Sequence, residues 1–444
     1  MRLRPFLVSI ALLGATAAGA ESSATLPLSS LPDPEHLSAL LWEHSPDLAV
    51  ARARVAAAQA DVTRAHLLPN PEADLSWNTL PIGPTNPPGL SRLKDVPNYN
   101  VGLSELIELG KRGPRQNAAR AALTATALDT LAALRSRTYE VLDRAAEVAA
   151  TEVRLAELEA LAADAAKLSG LQRARQKHGD TAGLDVDRAM LEEEQLQTSL
   201  GEERAHLSDA LLSCTRAAGL TCESFGGRDT AAAFLSARLS RAPAPADLDA
   251  RPDLRSLTAQ EQSARASLTL ARRRWLPDPT VRAGYVRDQF LISGNQRDSL
   301  FVGLSVPLTF FDHGQADAAA ASASLESARQ SRELLRAQAE RDVVSLTAQL
   351  QAVQERRARL RDQTLPLAEG VVKRLDAAVR AGGAALQDLL LARRSYGELL
   401  LRAADLDLTA FHLTVELDRA RAAGPSAPSS LRDAISAPSQ ENPS

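Results

Sequence analysis

After Pro114, as far as about His178, the chain has no proline and a single glycine, Gly170. Read as one helix, that stretch is about 95 Å long at 1.5 Å per residue. A second helical stretch of similar length runs from Gln315 to Arg380 and carries Pro366 and Gly370. Helices in globular domains average about 11–12 residues, so rods of this length belong to another class of structure. They need partner helices along their whole length, as in coiled coils. Each returns after a glycine turn ("GDTAG", "AGGA") as a shorter helix, about Leu184–Ala217 and Leu386–Ala422. Two long antiparallel hairpins are therefore the frame into which everything else must fit.

The rest of the chain is built as a direct repeat. "SPDLAVARARVAAAQADVTRAHLLPNP" from Ser45 matches "RPDLRSLTAQEQSARASLTLARRRWLPDP" from Arg251. "VGLSELIELGKR" from Val101 matches "VGLSVPLTFFDHGQ" from Val302, and the two glycine turns follow in the same order. Internal similarity at a fixed spacing means that one structural unit is used twice. Each half reads helix, strand, loop, strand, very long helix, turn, helix.

The strands show themselves by alternation. Leu300, Val302, Leu304, Val306, Leu308 and Phe310 face one way, with Ser299, Phe301, Gly303, Ser305, Pro307 and Thr309 between them. That is the period of a strand with one apolar face. Leu75, Trp77 and Thr79 alternate in the same manner, and Val281, Ala283 and Tyr285 do so more weakly. In the Val101–Leu109 segment, Glu105 interrupts an otherwise apolar face. The joints carry Pro69 and Pro71 in one half, Pro277 and Pro279 in the other. These prolines remove backbone donors and bar the preceding residue from the helical region, so each helix ends sharply and the chain leaves extended. The glycines of "ELGKRGPR" and "FFDHGQAD" serve the return crossing.

Composition narrows the setting. The 444 residues carry a formal net charge of −4, with Lys and Arg dispersed among acids, so no basic field points to nucleic acid. "MRLRPFLVSIALLGATAAGA" has the basic start, short apolar run and small-residue end of a secretory signal, the alternative being a buried N-terminal helix. No later apolar run is long enough for a spanning helix. An exported chain of this kind enters a membrane only as a barrel, because lipid leaves backbone polar groups unsatisfied. Four strands cannot close one, since about eight is the smallest number that fills its own interior. Several copies must then share a barrel. A half-buried sheet in a soluble protein has the same alternation, and the long helices weigh against it. Cys214 and Cys222, close together in an oxidising compartment, form either a local disulfide or two free thiols. The seven histidines include no pair at ligand spacing on one helix, no Gly-rich phosphate loop is present, and no catalytic constellation appears. The expectation is of neither an enzyme nor a cofactor or metal protein.

With the twin "LLPNP"/"WLPDP" joints, the paired "VGLS" segments and the glycine turns followed by "LDVDRA" and "LQDLLLA", the chain from Pro34 to Ala422 resembles the TolC-type outer membrane efflux proteins. "IELGKR" further resembles the branch serving heavy-metal pumps of the cobalt–zinc–cadmium type. The resemblance implies a mainly α homotrimer with a small β part. Four strands per subunit would make a twelve-stranded barrel in the outer membrane of a Gram-negative bacterium, continued by a helical barrel through the periplasm. It implies a passive conduit partnered by a periplasmic adaptor and an inner-membrane pump of the resistance-nodulation-division type. In such proteins acids just past the periplasmic turn ring the narrow end of the tunnel. The matching positions are Asp185 and Asp388, six residues after Gly179 and Gly382. Where a second acid often follows, this chain has Leu391. Either aspartate also reads as an ordinary first-turn acid stabilised by the helix dipole. The turns holding Gly179, Gly183, Gly382 and Gly383 would face the adaptor, beyond their plain role in reversing a hairpin.

The expected organisation is a signal peptide (1–20), an N-terminal extension (21–33), a first repeat (34–218) and a connector forming a belt partway down (219–250). A second repeat (251–422) and a disordered Pro/Ser-rich tail (423–444) complete it. The first repeat holds a strand pair at about 72–109 and a hairpin at about 114–217; the second, a strand pair at about 279–311 and a hairpin at about 315–422. The competing reading is a soluble periplasmic adaptor or scaffold built on helical hairpins.

Overall fold

The computed structural model describes residues 25–31, 33–179, 181–240, 247–290 and 296–436. The signal segment 1–20, the Ala/Pro stretch 241–246 of the connector and the last eight residues lie outside the described residues. Two helices, α1 (Pro34–His44) and α2 (Pro46–His66), lead into strands β2 (Glu72–Asn78) and β3 (Asn98–Leu106). The long helix α3 (Arg112–Lys177) and its return α4 (Gly183–Ala218) follow. The order then recurs as α6 (Pro252–Arg272), β5 (Thr280–Asp288), β6 (Asp298–Ser305), α7 (Gln315–Arg359), α8 (Leu365–Arg380) and α9 (Leu386–Ala420). Corresponding elements match closely in length: α2 and α6 have 21 residues each, α4 and α9 have 36 and 35. Both α2 and α6 begin with proline in the first turn, where a missing N–H costs nothing.

The second rod is not one α-helix, as its expected continuity implied. Residues Leu360–Thr364 form a π turn between α7 and α8, directly before Pro366. A proline ring collides with the carbonyl one turn back, and widening that turn accommodates it without breaking the rod. The last strand is also shorter than its alternation suggested. β6 ends at Ser305, two residues before Pro307, which has no N–H to extend the ladder. The tail, expected to be disordered, folds in part: Ser429–Ser436 make helix α10, and its Leu431 is buried against Leu123, Ala127 and Leu131 of α3. Leu431, Ala434 and Ile435 supply an apolar stripe at helical spacing.

The four strands form one antiparallel sheet in the order β2-β3-β5-β6, so the two halves of the chain meet at β3–β5. On the helical side, α3 lies among α2, α4, α6 and α9, and α7 packs on α6 and α9. The densest core sits beside the middle of α3, not under the strands. There β1 (Thr25–Pro27) pairs in parallel with β4 (Thr221–Glu223) from the connector, and α5 (Arg228–Leu239) closes over α9. Leu26, Leu37, Leu41, Val141, Val148, Phe225 and Phe411 are buried together in this core. The connector thus contributes a strand and a helix. Its loop is pinned by Glu152 of α3, whose carboxylate accepts from the backbone N–H of Phe225 (2.7 Å) and Gly227 (3.2 Å). Burial raises the pKa of Glu152, and the two backbone donors oppose that rise.

Both return crossings use a left-handed glycine, Gly110 (φ +68°) and Gly314 (φ +87°). At Gly314 a Cβ would also collide with the carbonyl oxygen of Ala271 and stand 2.8 Å from the Cβ of Arg274. Gly314→Ala combines a left-handed penalty of about 1–2 kcal/mol with this clash. It is expected to lower the denaturation midpoint clearly in a thermal or denaturant melt, whereas Gly113→Ala, with open space around it, leaves the midpoint unchanged.

Candidate functional site

Cross-strand register sorts the sheet's side chains into two unlike faces. On one face the rows read Leu75–Val101–Tyr285–Leu300, then Ala73–Leu103–Ala283–Val302. On the other they read Asp74–Gly102–Gly284–Phe301 and Ser76–Asn100–Val286–Ser299. The apolar face has no cover among the described residues: Leu300 is 83% exposed, Val302 82% and Leu75 75%. At roughly 25 cal/mol per Å² of apolar surface, a sheet like this is unstable in water unless something else covers it. Glu105 stands on the apolar face, level with Val281 and Leu304, as its place in the alternation implied. The sheet also ends in two open edges, β2 and β6, whose outer backbone groups have no partner strand among the described residues.

The proline joints are tied to the return crossings. Pro69 and Pro71 lie in the extended segment between α2 and β2; Pro277 and Pro279 lie in the one before β5. Between the latter two, Asp278 accepts from the Leu109 N–H (2.9 Å) and from Lys111 Nζ (2.7 Å). Arg115 pairs with Glu108 and donates to the carbonyls of Ala65 and Leu67, at 3.2 and 3.1 Å. Each joint therefore fixes how the sheet sits on the rods.

At the opposite end stand the hairpin turns. Gly179 (φ +78°) and Gly382 (φ +75°) are both left-handed. At the second turn Gly383 N–H donates to Ala378 (2.8 Å) and Gly382 N–H to Val379 (3.2 Å), the paired bonds that close a helix C-terminus on glycine. Gly183 and Gly383 have no left-handed φ, so their backbones do not demand glycine. Asp388 is exposed in the first turn of α9 and makes no ion pair among the described residues. Asp185, in the first turn of α4, lies 3.7 Å from Arg188. Leu168 of α3 packs with Val379, Leu386 and Leu389, which holds the two hairpins together just above the turns.

Sequence reasoning missed the charged ties along the rods, because each joins residues far apart in the chain. Arg154 reaches Glu203 (2.7 Å) and Asp405 (3.2 Å), linking α3 to α4 and α9. Asp407, 8% exposed, receives both Arg357 and Arg361, the second from the π turn. Cys214 and Cys222 are joined by a disulfide, Cα atoms 6.0 Å apart, which fastens β4 to the end of α4. Among the described residues no group of three or more His, Cys, Asp and Glu is placed to hold a metal ion.

Residues 246–420 match the family model described as outer membrane efflux protein. No curated protein matches the chain at a significant level. Among solved structures, VceC, an outer membrane protein of Vibrio cholerae, is 20% identical with a TM-score of 0.70, over 88% of this chain and 96% of that one. CusC, whose structures concern transmembrane channel formation, is 16% identical with a TM-score of 0.72, covering 88% and 92%. The CmeC outer membrane channel of Campylobacter jejuni is 13% identical with a TM-score of 0.69, covering 90% and 88%. At these identities the likeness is one of fold.

His412 of α9 meets Asp143 of α3 at 2.9 Å, with Glu147 and Arg144 nearby. The bond to Asp143 raises the His412 pKa above its ordinary value of about 6.5, against the effect of burial. Its contribution is present in full below the unfolded pKa and is lost as pH rises through the folded one. The melting temperature is therefore expected to fall as pH is raised from the mid-sixes upward, and His412→Gln flattens that part of the profile.

Proposed function

We propose that this chain, which over residues 246–420 carries the pattern of the outer membrane efflux protein family, is one subunit of an outer membrane conduit. In this reading three copies pool their strands into a twelve-stranded barrel, and their rods continue the tube through the periplasm. The observation that carries it is the four-stranded sheet with a bare apolar face, a polar opposite face and two open edges. Lipid covers the first, water fills the space beside the second, and edge-to-edge pairing of copies satisfies the third. Two copies would give eight strands, a barrel filled by its own side chains. Three is the smallest assembly that leaves a passage. A soluble adaptor or scaffold would leave the same apolar face in water, which argues against that alternative.

The rods supply the length. Residues 112–177 span about 100 Å at 1.5 Å per residue, enough to carry the tube well beyond the membrane. Transport is passive: no nucleotide site or catalytic group is invoked, and direction comes from an inner-membrane pump of the resistance-nodulation-division type coupled through a periplasmic adaptor. Heavy-metal ions enter this reading as cargo only, on the strength of the "IELGKR" segment. The adaptor meets the hairpin turns, where Gly183 and Gly383 allow close backbone approach. Asp388, repeated by the threefold, forms an acidic ring at the narrow end that concentrates cations, with Asp185 held nearby by Arg188.

Purified mature protein is expected to run as a detergent-extracted trimer and to form cation-preferring channels in planar bilayers. A monomer stable in water without detergent would overturn the proposal. Asp388→Asn should weaken cation preference and block by divalent ions; an unchanged recording would remove Asp388 from the gate and leave the conduit standing. Gly383→Arg should abolish export while trimers persist, because its backbone tolerates a side chain. Full export by that variant would exclude the second turn from adaptor contact.

A further inference from the structure

Aromatic residues make up only 3% of the chain, yet several gather at the two ends of the sheet's apolar side. At the end bearing the inter-strand loops, Trp77 stacks on Tyr99 with ring centroids 5.9 Å apart. At the helix-to-strand joints stand Trp275 (64% exposed), Phe310 (75%) and Phe311 (93%), with exposed Leu67 and Leu68 beside the other proline joint. Between the two ends lie only the apolar rows and Glu105. Asp298 is close to the level of Trp77 through the pairing of Trp77 with Tyr99, Tyr99 with Arg287 and Arg287 with Asp298. From Asp298 to Ser305 β6 rises about 23 Å at 3.3 Å per residue, and five further residues outside the strand lead to Phe310.

Exposed cations stand at both ends. At the loop end Arg287 lies in register with Tyr99 and Trp77; at the joints Arg272, Arg273 and Arg274 directly precede Trp275, while Arg112 follows Leu109 by three residues. Some are engaged by the fold. Arg273 donates to the Gly110 carbonyl, Arg274 pairs with Asp317, and Arg112 donates to the His66 carbonyl at 3.1 Å. Arg272 makes no ion pair among the described residues. Arg272 ends α6, Arg273 and Arg274 lie in the turn that follows it, and Arg112 opens α3, which packs on α6.

Resting on the barrel reading above, we propose that this joint is a membrane collar that takes the phosphate groups of anionic phospholipid and thereby sets the height of the barrel. Guanidinium groups offer paired donors to phosphate oxygens, and aromatic rings beside them settle at the headgroup level. The occupant is the phospholipid leaflet at the periplasmic surface, because the cations of the joint lie on the helical side of the sheet. Glu105 stands in the apolar row nearest the joints, one residue before the end of β3.

The three tryptophans, Trp42, Trp77 and Trp275, make the test direct. Full-length protein carrying Trp42→Phe with Trp77→Phe reports on Trp275; protein carrying Trp42→Phe with Trp275→Phe reports on Trp77. In vesicles of brominated phosphatidylcholine both reporters should be quenched. Quenching of Trp77 alone overturns the collar and leaves the barrel intact, whereas quenching of neither overturns both. In vesicles of mixed phosphatidylcholine and phosphatidylglycerol, the unmodified protein should retain several-fold more phosphatidylglycerol on extraction than the Arg112→Gln/Arg272→Gln variant, at equal phosphatidylcholine. Lysine at both positions should restore part of the difference. Equal retention by all three would overturn headgroup recognition.

Discussion

Backbone amides and carbonyls along the outer edges of β2 and β6 have no partner strand among the described residues. An unmet hydrogen bond next to lipid costs several kcal/mol, and each edge has a row of them. The sheet's second demand, cover for its apolar face, has no answer among the described residues either. The proposed shared barrel in a membrane meets both requirements at once. The helical rods share this dependence, since much of the surface of α7 is exposed when the chain is alone.

Against that dependence, the waist gives each subunit a core of its own. Leu26, Leu37, Val141, Phe225 and Phe411 pack where the N-terminal strand, the connector and α9 wrap α3. The division is physically reasonable. In the proposed trimer, strands that must first meet other copies cannot stabilise the single chain, so its own stability resides elsewhere. The disulfide and the Glu152 contacts lie in that same core and reduce the freedom of the connector.

Much of this was legible in the sequence where the signal is local. Proline joints, alternating strands, proline-poor rods and glycine turns each act over a few residues, and the chain states each of them twice. The extent of β6 was over-read: its alternation runs to Phe310, but the ladder stops at Ser305, just before Pro307 removes a donor. What escaped was non-local. The pairing of Leu26 with Cys222, the ring of arginines on Asp407 and the docking of α10 depend on residues far apart in the chain, and no local period announces them. The π turn before Pro366 was signalled by that proline, though whether a rod breaks or only widens depends on its neighbours. Asp388 is an intermediate case: its first-turn position follows from the turn glycine, but in the proposed trimer the surface it faces would be set by other subunits.

The parallel pairing of β1 with β4 has a consequence for biogenesis. In the proposed exported conduit β1 emerges before β4, which follows both arms of the first hairpin, so the early strand waits unpaired until its partner arrives. The covalent clip between Cys214 and Cys222 closes over a short span and can form as soon as that stretch is outside. It presents β4 already in place, so the waiting strand has an ordered template to dock on. The oxidising machinery of the compartment thereby sets how long the nascent subunit remains vulnerable.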